Sequence, residues 1–252
     1  MKIHTLSGYI QSIYLVEYKD KLLLLDGCSR ADTEYVCSFI RDELKRPLSD
    51  LKLIVVTHMH PDHAGGAHTL RKLTGAKIVT SKHEHHWYRG VDGWLMYFTD
   101  LCLARWVAKR KKKKPIMLYY SPWLKPDIRL RDEELLPGFE EWQILETPGH
   151  TDRDLSLLHI PSNRIYVADL MVTVKGKYVP PFPIFYLNNY RRSLEKVLSY
   201  EPESLWLAHS GEVQLNDEDL DYLMQSIPRR PTTHWRATKH KTRQIIKLIR
   251  TK

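Results

Sequence analysis

Residues 55–67, VVTHMHPDHAGGA, constrain the fold of this chain more than any other stretch. An apolar, strand-like run leads directly into three histidines and an aspartate, and a Gly-Gly pair follows them: His58, His60, Asp62 and His63. Imidazole nitrogens and carboxylate oxygens are the donors that a borderline divalent ion such as zinc prefers. Because residues alternate along a strand, we expect the first two histidines to point to one side and the last two donors to return after a proline turn. The stretch predicts a loop that serves two metal ions.

Three further candidate ligands stand where apolar runs end. His150 follows ILETPG, Asp169 follows IYVA and His209 follows LWLA. Any one of them alone is more typical of an ordinary hydrogen-bonded residue. Four donors in one loop cannot complete two sites, however, so ligands must come from elsewhere in the chain. Their common position at the ends of predicted strands favours the ligand role for all three.

Strand and helix patterns alternate through most of the chain. The first part predicts a hairpin, a helix, and two strands that flank a short helix after the Gly-Gly pair. The second part predicts four strands, a helix, a strand and a helix. The segments are 8–18, 21–27, 33–45, 51–58, 67–75 and 76–81 in the first part, and 128–131, 142–150, 155–160, 164–170, 188–200, 204–211 and 217–227 in the second.

Residues 93–127 interrupt this pattern. They begin as an apolar, aromatic-rich helix and end in the basic run KRKKKK before Pro115. We interpret them as an inserted helical cap, packed on the body or on a twin subunit. A lid over a hydrophobic pocket and a membrane-surface contact are the alternatives. We therefore assign residues 1–228 to one domain, with 93–127 as its cap insertion, and residues 229–252 to a basic C-terminal tail.

The seven candidate ligands, together with the motifs LLLLDG, DHAGGA, ETPGHT and VADL, resemble the metallo-β-lactamase-fold hydrolase superfamily over roughly residues 8–92 and 128–227. The resemblance implies an α+β fold, a four-layer αββα sandwich with the inserted cap. It also implies the role of each ligand. His58, His60 and His150 would bind a first ion, Asp62, His63 and His209 would bind a second, and Asp169 would bridge the two.

The activity that the resemblance implies is metal-dependent hydrolysis. Two divalent ions, Zn²⁺ first with Mn²⁺ and Fe²⁺ as alternatives, would hold a bridging hydroxide at neutral pH, and Asp62 would orient it or move its proton. We expect an ester, thioester or lactone bond in a small, hydrophobic substrate. A phosphodiesterase acting on nucleic acid or phospholipid, a single-iron persulfide dioxygenase and a non-catalytic metal-binding module are the alternatives.

Within the superfamily, the chain is placed in the glyoxalase II and lactonase-like branch, with the subfamily left open. The stretch LMVTVKGKYVPPFP after the bridging aspartate lacks the Gly-Cys-rich sequence of chains that resemble glyoxalase II. Val172 stands where chains that resemble acyl-homoserine lactonases have a tyrosine. Neither a glutathione thioester nor a homoserine lactone is therefore favoured.

The net charge of +9 is unevenly distributed. Residues 105–125 hold eight Lys and Arg, residues 229–252 hold nine, and neither segment has an acidic residue, which leaves 22 basic against 30 acidic residues elsewhere. This charge distribution predicts contact with an anionic membrane or nucleic acid. The other partners that we expect are a small-molecule substrate and a second copy of the chain in a homodimer. Three scattered cysteines and an N-terminus without a signal-like apolar stretch predict a cytoplasmic protein.

Overall fold

The computed structural model describes residues 1–83, 85–233, 237, 239, 240, 242 and 243. Contacts divide the chain into two compact units. Unit 1 holds residues 1–79, 83–128 and the described residues from 233 onward, and unit 2 holds 80–82 and 129–232. The predicted boundary at residue 228 stays a prediction. Most of the predicted basic tail, including 244–252, lies outside the described residues.

The predicted hairpin forms as β2 and β3 of the first sheet, and a strand that was not predicted, β1, precedes it at the sheet edge. Strands β1, β2 and β3 are antiparallel, whereas β3, β4 and β5 run parallel. The hairpin strands are buried along most of their length because both faces carry apolar side chains. The strands, in spatial order, are β1 (Lys2–Ser7), β2 (Ser12–Glu17), β3 (Leu22–Leu24), β4 (Leu51–Val55), β5 (Lys77–Ser81) and β6 (Ile128–Leu130).

Four helices belong to unit 1: α1 (Thr33–Ser38), α2 (Pro61–Ala64), α3 (Ala67–Thr74) and α4 (Gly90–Arg110). A wider π-type turn over Phe39–Glu43 continues α1. Helix α3 stops at Gly75, whose φ of 80° is a left-handed conformation that glycine adopts without steric cost. The helix predicted at the start of the 93–127 insertion forms as α4, and irregular chain follows it to residue 127.

The second sheet lies within unit 2, in the order β14-β13-β10-β9-β8-β7. Its pairs are antiparallel except β10 with β13. A separate hairpin joins β11 to β12. The elements are β7 (Leu135–Leu136), β8 (Phe139–Glu146), β9 (Leu155–His159), β10 (Arg164–Ala168), β11 (Val172–Val174), β12 (Lys177–Val179), α5 (Leu187–Ser199), β13 (Ser204–Leu207), β14 (Gly211–Val213) and α6 (Asp217–Ser226).

The core of unit 2 forms where α5 covers this sheet. Tyr190, Leu194 and Val197 recur at helical spacing and pack with the buried residues of β10 and β13, such as Ile165 and Leu205. Helix α6 begins with a capping box in which the Asn216 and Asp219 side chains exchange hydrogen bonds with each other's backbone. None of the described helices is long and apolar enough to cross a membrane.

The predicted strands extend beyond the observed ones, including the strand that leads to His58 and the strand that leads to His209. The strand expected over 51–58 ends at Val55, because the backbone N–H of Thr57 donates to the carboxylate of Asp26 instead of to a neighbouring strand. The strand expected over 204–211 ends at Leu207, and the chain reverses into β14. We call the segment that carries His58, His60, Asp62 and His63 the metal loop. It lies beyond the end of β4, so strand alternation does not orient His58 and His60 as expected.

Candidate metal centre

The loop after β4 brings two imidazole rings together inside unit 1. Nε2 of His58 lies 3.1 Å from Nδ1 of His60, and both side chains are buried. His60 is also the last residue before α2, which begins with a proline. Proline suits the first turn of a helix because its missing N–H is not needed there. The short helix thus returns the chain so that Asp62 and His63 face the same loop.

Asp26, two residues after β3, fixes two of these histidines. Its Oδ2 lies 2.6 Å from Nδ1 of His63 and accepts the Thr57 hydroxyl at 2.7 Å. A carboxylate only accepts, so Nδ1 of His63 carries the proton and Nε2 presents a lone pair. Because the single Thr57 proton goes to Asp26, the Thr57 oxygen accepts from Nδ1 of His58 at 3.2 Å. Nε2 of His58 then carries a lone pair that is available to a metal ion, as Nε2 of His63 does.

A cluster from α4 and the chain around it holds the middle of the loop. The hydroxyl of Tyr120 donates to the carbonyl of Met59, and the hydroxyl of Tyr88, which has a single proton, shares it between that carbonyl at 3.2 Å and the carboxylate of Asp100. The Tyr88 hydroxyl also lies 3.0 Å from Oδ2 of Asp100, which is 3.7 Å from Nε2 of His60. Burial raises the pKa of both tyrosines well above the ordinary value, so the hydroxyls keep the protons that they donate. We call these three side chains, Tyr88, Asp100 and Tyr120, the loop clamp.

Asp62 is the second carboxylate at the loop. Its Oδ2 lies 3.7 Å from Nε2 of His63, and its side chain is buried. Lys111, just after α4, donates to the carbonyl of Ile10 at 2.6 Å. Partial burial of its amine lowers the pKa of Lys111, and the charge of Asp62 acts in the opposite direction.

Unit 2 carries the other three candidate ligands. Nδ1 of His150 lies 2.6 Å from the carbonyl oxygen of Pro183, which can only accept, so Nε2 of His150 holds the lone pair. The turn that carries His150 is tied down by Asp154, whose carboxylate accepts the backbone N–H groups of Gly149 and Thr151 at 3.1 and 2.6 Å. Burial raises the pKa of Asp154, while its hydrogen bonds from Thr151 act in the opposite direction.

Asp169 directs its two carboxylate oxygens to two different histidines. Oδ2 lies 3.7 Å from Nε2 of His150, and Oδ1 lies 3.3 Å from Nε2 of His209. The residue follows β10 directly, and His209 lies two residues after β13, its parallel neighbour. Parallel strands end at the same sheet edge, which explains how the sequence places these two donors together.

These donor pairs fit a divalent metal ion. Two atoms bound at about 2.1 Å to a tetrahedral ion are roughly 3.4 Å apart. The pairs His58–His60, Asp62–His63, His150–Asp169 and His209–Asp169 have separations of 3.1, 3.7, 3.7 and 3.3 Å. A ligating histidine also has its other ring nitrogen anchored by a carboxylate, carbonyl or hydroxyl, as three of the five do here. The pairs are therefore suited to ligation in both spacing and chemistry.

Unit 1 thus brings together His58, His60, Asp62 and His63, and unit 2 brings together His150, Asp169 and His209. The anchoring residues Asp26, Asp100 and Asp154 were not predicted from the sequence. The sequence does contain a positional signal for two of them. Asp26 directly follows the apolar run LLLL, and Asp154 lies four residues after His150. Asp100 has none, because it lies within an apolar helix.

The fold agrees with the comparison to known families. Residues 6–209 match the metallo-beta-lactamase superfamily, and the chain belongs to that superfamily. Among curated proteins it is similar to the probable metallo-hydrolases YqjP and YflN of Bacillus subtilis. It is 24% identical to YqjP over 78% of this chain and 66% of that protein, slightly under two thirds of its length. It is 22% identical to YflN over 82% and 83%. The family and these relatives support the prediction of a hydrolase enzyme.

Solved structures show the same fold. A metallo-beta-lactamase family protein from Thermus thermophilus has a TM-score of 0.62 at 20% identity, covering 98% of this chain and 80% of that one. ETHE1 from Myxococcus xanthus has a TM-score of 0.59 at 17% identity, covering 96% and 90%. The predicted α+β class and metallo-β-lactamase fold are confirmed.

Proposed function

We propose that this chain is a dinuclear metal-dependent hydrolase that cleaves an ester, thioester or lactone bond in a small, largely uncharged substrate. In this proposal His58, His60 and His150 bind one divalent ion, Asp62, His63 and His209 bind the other, and Asp169 contacts both. The observation that carries it is the anchoring of His58, His63 and His150. Each has Nδ1 held by the protein, so that Nε2 is offered as a ligand.

Bound divalent ions lower the pKa of water enough to supply a nucleophile at neutral pH. The chain supplies the arrangement around it. Asp169 uses a different oxygen toward each of its two histidines, as a bridging carboxylate would. Asp62 is buried, ionisable and next to His63, which suits it to accept and pass on a proton. The Pro183 carbonyl and Asp26 fix the orientation of His150 and His63 by accepting from Nδ1 of each ring.

The surroundings of the metal loop favour an uncharged substrate. The side chains at the Met59 carbonyl are aromatic, Tyr88 from just before α4 and Tyr120 from the chain after it, and the Asp100 carboxylate of α4 is engaged by the Tyr88 hydroxyl. A phosphodiester would instead need cations directed at its oxygens. Lys111, whose pKa responds to the charge of Asp62, is engaged by the Ile10 carbonyl.

A hydrolase screen tests the proposal. Protein loaded with zinc, manganese or iron is assayed on an aryl ester, a thioester, a lactone and a bis-aryl phosphodiester over a range of salt concentrations. We expect turnover of one of the first three with little salt dependence, and loss of that turnover in His60→Ala. Phosphodiester cleavage that weakens steeply with salt would support the alternative phosphodiesterase. Activity with a single iron ion on a persulfide would support a dioxygenase.

A further inference from the structure

Helix α4 exposes an apolar face. Val91, Leu95 and Phe98 are spaced by four and three residues, which places them on one side of the helix. Their exposed fractions are 88%, 44% and 46%. The opposite side of α4 is already buried by apolar residues such as Met96 and Leu101. A helix packed on one side of a globular protein ordinarily presents polar residues outward. The outer face of α4 is therefore unusual.

The exposed face extends to the chain after the helix. The ring of Trp94 stacks on Phe98 at 6.1 Å and meets Trp123 edge-on at 6.0 Å. Among the described residues, eight of the eighteen large hydrophobic side chains that are exposed lie between residues 91 and 123. Exposed apolar area is thus concentrated here instead of scattered singly, the distribution that marks an interaction surface. We define the α4 surface by these apolar residues together with the exposed basic residues that follow them: Val91, Trp94, Leu95, Phe98, Trp123, Arg105, Lys109, Lys112 and Lys114.

The same helix continues into a basic segment. Arg105 and Lys109 are exposed beyond the apolar residues, and Lys112 and Lys114 follow, all exposed. No acidic residue occurs between residues 105 and 125. Cations and aromatic rings are in contact here, with the guanidinium of Arg105 5.4 Å from the ring centroid of Tyr119. The apolar face and the cations together make a surface with one apolar and one positive end.

We propose that the α4 surface docks on the surface of an anionic lipid bilayer. Aromatic and aliphatic side chains of this kind insert at the boundary between headgroups and acyl chains, and lysines next to them are attracted to anionic headgroups. A nucleic acid would use the cations but leave Val91 and Leu95 in water. A second copy would bring two basic segments into one contact, with no acidic residue in either to neutralise them.

Vesicle flotation of the whole protein tests this. Purified protein is mixed with phosphatidylcholine vesicles with and without phosphatidylserine, at low and high salt, and the bound fraction is measured. We expect binding to the phosphatidylserine vesicles that weakens with salt and is much weaker without phosphatidylserine. Equal binding to both vesicles, or none to either, would overturn the proposal.

Two variants with matched controls assign the binding to the α4 surface. Lys109→Glu, Lys112→Glu and Lys114→Glu together should reduce binding about 100-fold, from roughly fivefold for each lysine. Lys19→Glu, Lys52→Glu and Lys72→Glu make the same charge change at exposed sites elsewhere and should have a much smaller effect. The C-terminal basic residues are identical in both variants, so a difference in their vesicle binding is due to the lysines of the α4 surface. Equal losses would contradict the proposal.

The apolar contribution is tested in the same way. Val91→Ser with Leu95→Ser should reduce vesicle binding about tenfold or more, because both side chains would leave the bilayer interface. Leu73→Ser with Val174→Ser, which changes two similarly exposed apolar residues, should leave it unchanged. Light scattering of the same samples without vesicles tests the alternative that this face binds a second copy of the chain. Self-association that Val91→Ser with Leu95→Ser abolishes would assign the face to a second copy.

Discussion

Asp26 anchors two of the seven candidate ligands, His63 directly and His58 through Thr57. Its Oδ1 accepts the backbone N–H groups of Gly27 and Thr57, and its Oδ2 serves the Thr57 hydroxyl and His63. Through Thr57 it also fixes the proton of His58. One buried carboxylate therefore sets the tautomer of two histidines. One belongs to the pair His58–His60 and the other to the pair Asp62–His63.

Replacing Asp26 with asparagine should lower metal affinity 10- to 100-fold while the fold is kept. The amide has the same shape, but its oxygen is a weaker acceptor than a carboxylate and its NH₂ group cannot accept from His63 or Thr57. Competition with a chromophoric chelator measures the affinity, and circular dichroism monitors the fold. Asp20→Asn, on the exposed β2–β3 turn, is the control. An unchanged affinity in Asp26→Asn would rule out its role in orienting the histidines.

Asp32 makes stability depend on pH. Burial raises its pKa to about 6, although the backbone bonds from Tyr9 and Ser29 lower it. A carboxyl with a higher pKa in the folded protein binds its proton more tightly there. The free energy of unfolding therefore falls as pH rises from about 4 to about 6, by up to about 3 kcal/mol. Asp32→Asn should remove this fall, because the amide is uncharged at every pH.

Denaturant unfolding of the wild type and Asp32→Asn, both with chelator present, measures the difference at several pH values. The stability of the variant relative to the wild type should increase from about pH 4 to about pH 7. A difference that stays constant over this interval would mean that Asp32 does not titrate differently in the folded state. The comparison is made between the two proteins because other groups titrate equally in both.

At the scale of elements, the loop clamp joins α4 and its neighbouring chain to the metal loop. Two tyrosine hydroxyls from positions 88 and 120 meet one carbonyl, at Met59 between two ligands. The inserted segment is thus connected to the metal loop by hydrogen bonds within unit 1. Changes in this segment should therefore affect the metal loop as well as the surface of the protein.

Tyr88→Phe combined with Tyr120→Phe should make the metal ions easier to remove and lower the free energy of unfolding by about 1–3 kcal/mol, because the Met59 carbonyl loses both donors. The rate of metal loss to a chelator is the measurement. Tyr97→Phe, which removes a buried hydroxyl that donates to the backbone of Tyr120 and not to Met59, should lose stability without accelerating metal loss. Equal rates in both variants would show that the clamp does not hold the loop.

The sequence predicts much of the fold and all seven candidate ligands because these ligands follow apolar runs. Periodicity finds the buried strands β2, β4, β9, β10 and β13, but the strands β1, β7, β11, β12 and β14 were missed. The missed strands lie at sheet edges or in a separate hairpin, where burial is incomplete and the pattern is weak. The anchoring residues were missed for another reason. Asp26 is 37 residues from His63, and such pairings depend on tertiary structure.

At the scale of the whole molecule, metal binding should stabilise the fold. Ions that bind only the folded chain add to the free energy of unfolding in proportion to the logarithm of their concentration over Kd, about 4 kcal/mol at a thousandfold excess. Removal of metal with a chelator should lower the melting temperature, and restoring zinc should recover it. His60→Ala should show a smaller shift. A melting temperature that does not respond to chelation would contradict metal binding by the folded protein.

The central claim is that two groups of ligands bind two metal ions. The direct test is elemental analysis of the purified chain beside His60→Ala and His63→Ala, which each remove one ligand from a different proposed site. His85→Ala, which removes an exposed histidine outside both sites, is the control. We predict about two divalent ions per chain in the wild type and the control and about one in each site variant. A single ion in the wild type, or undiminished metal in both site variants, would contradict it.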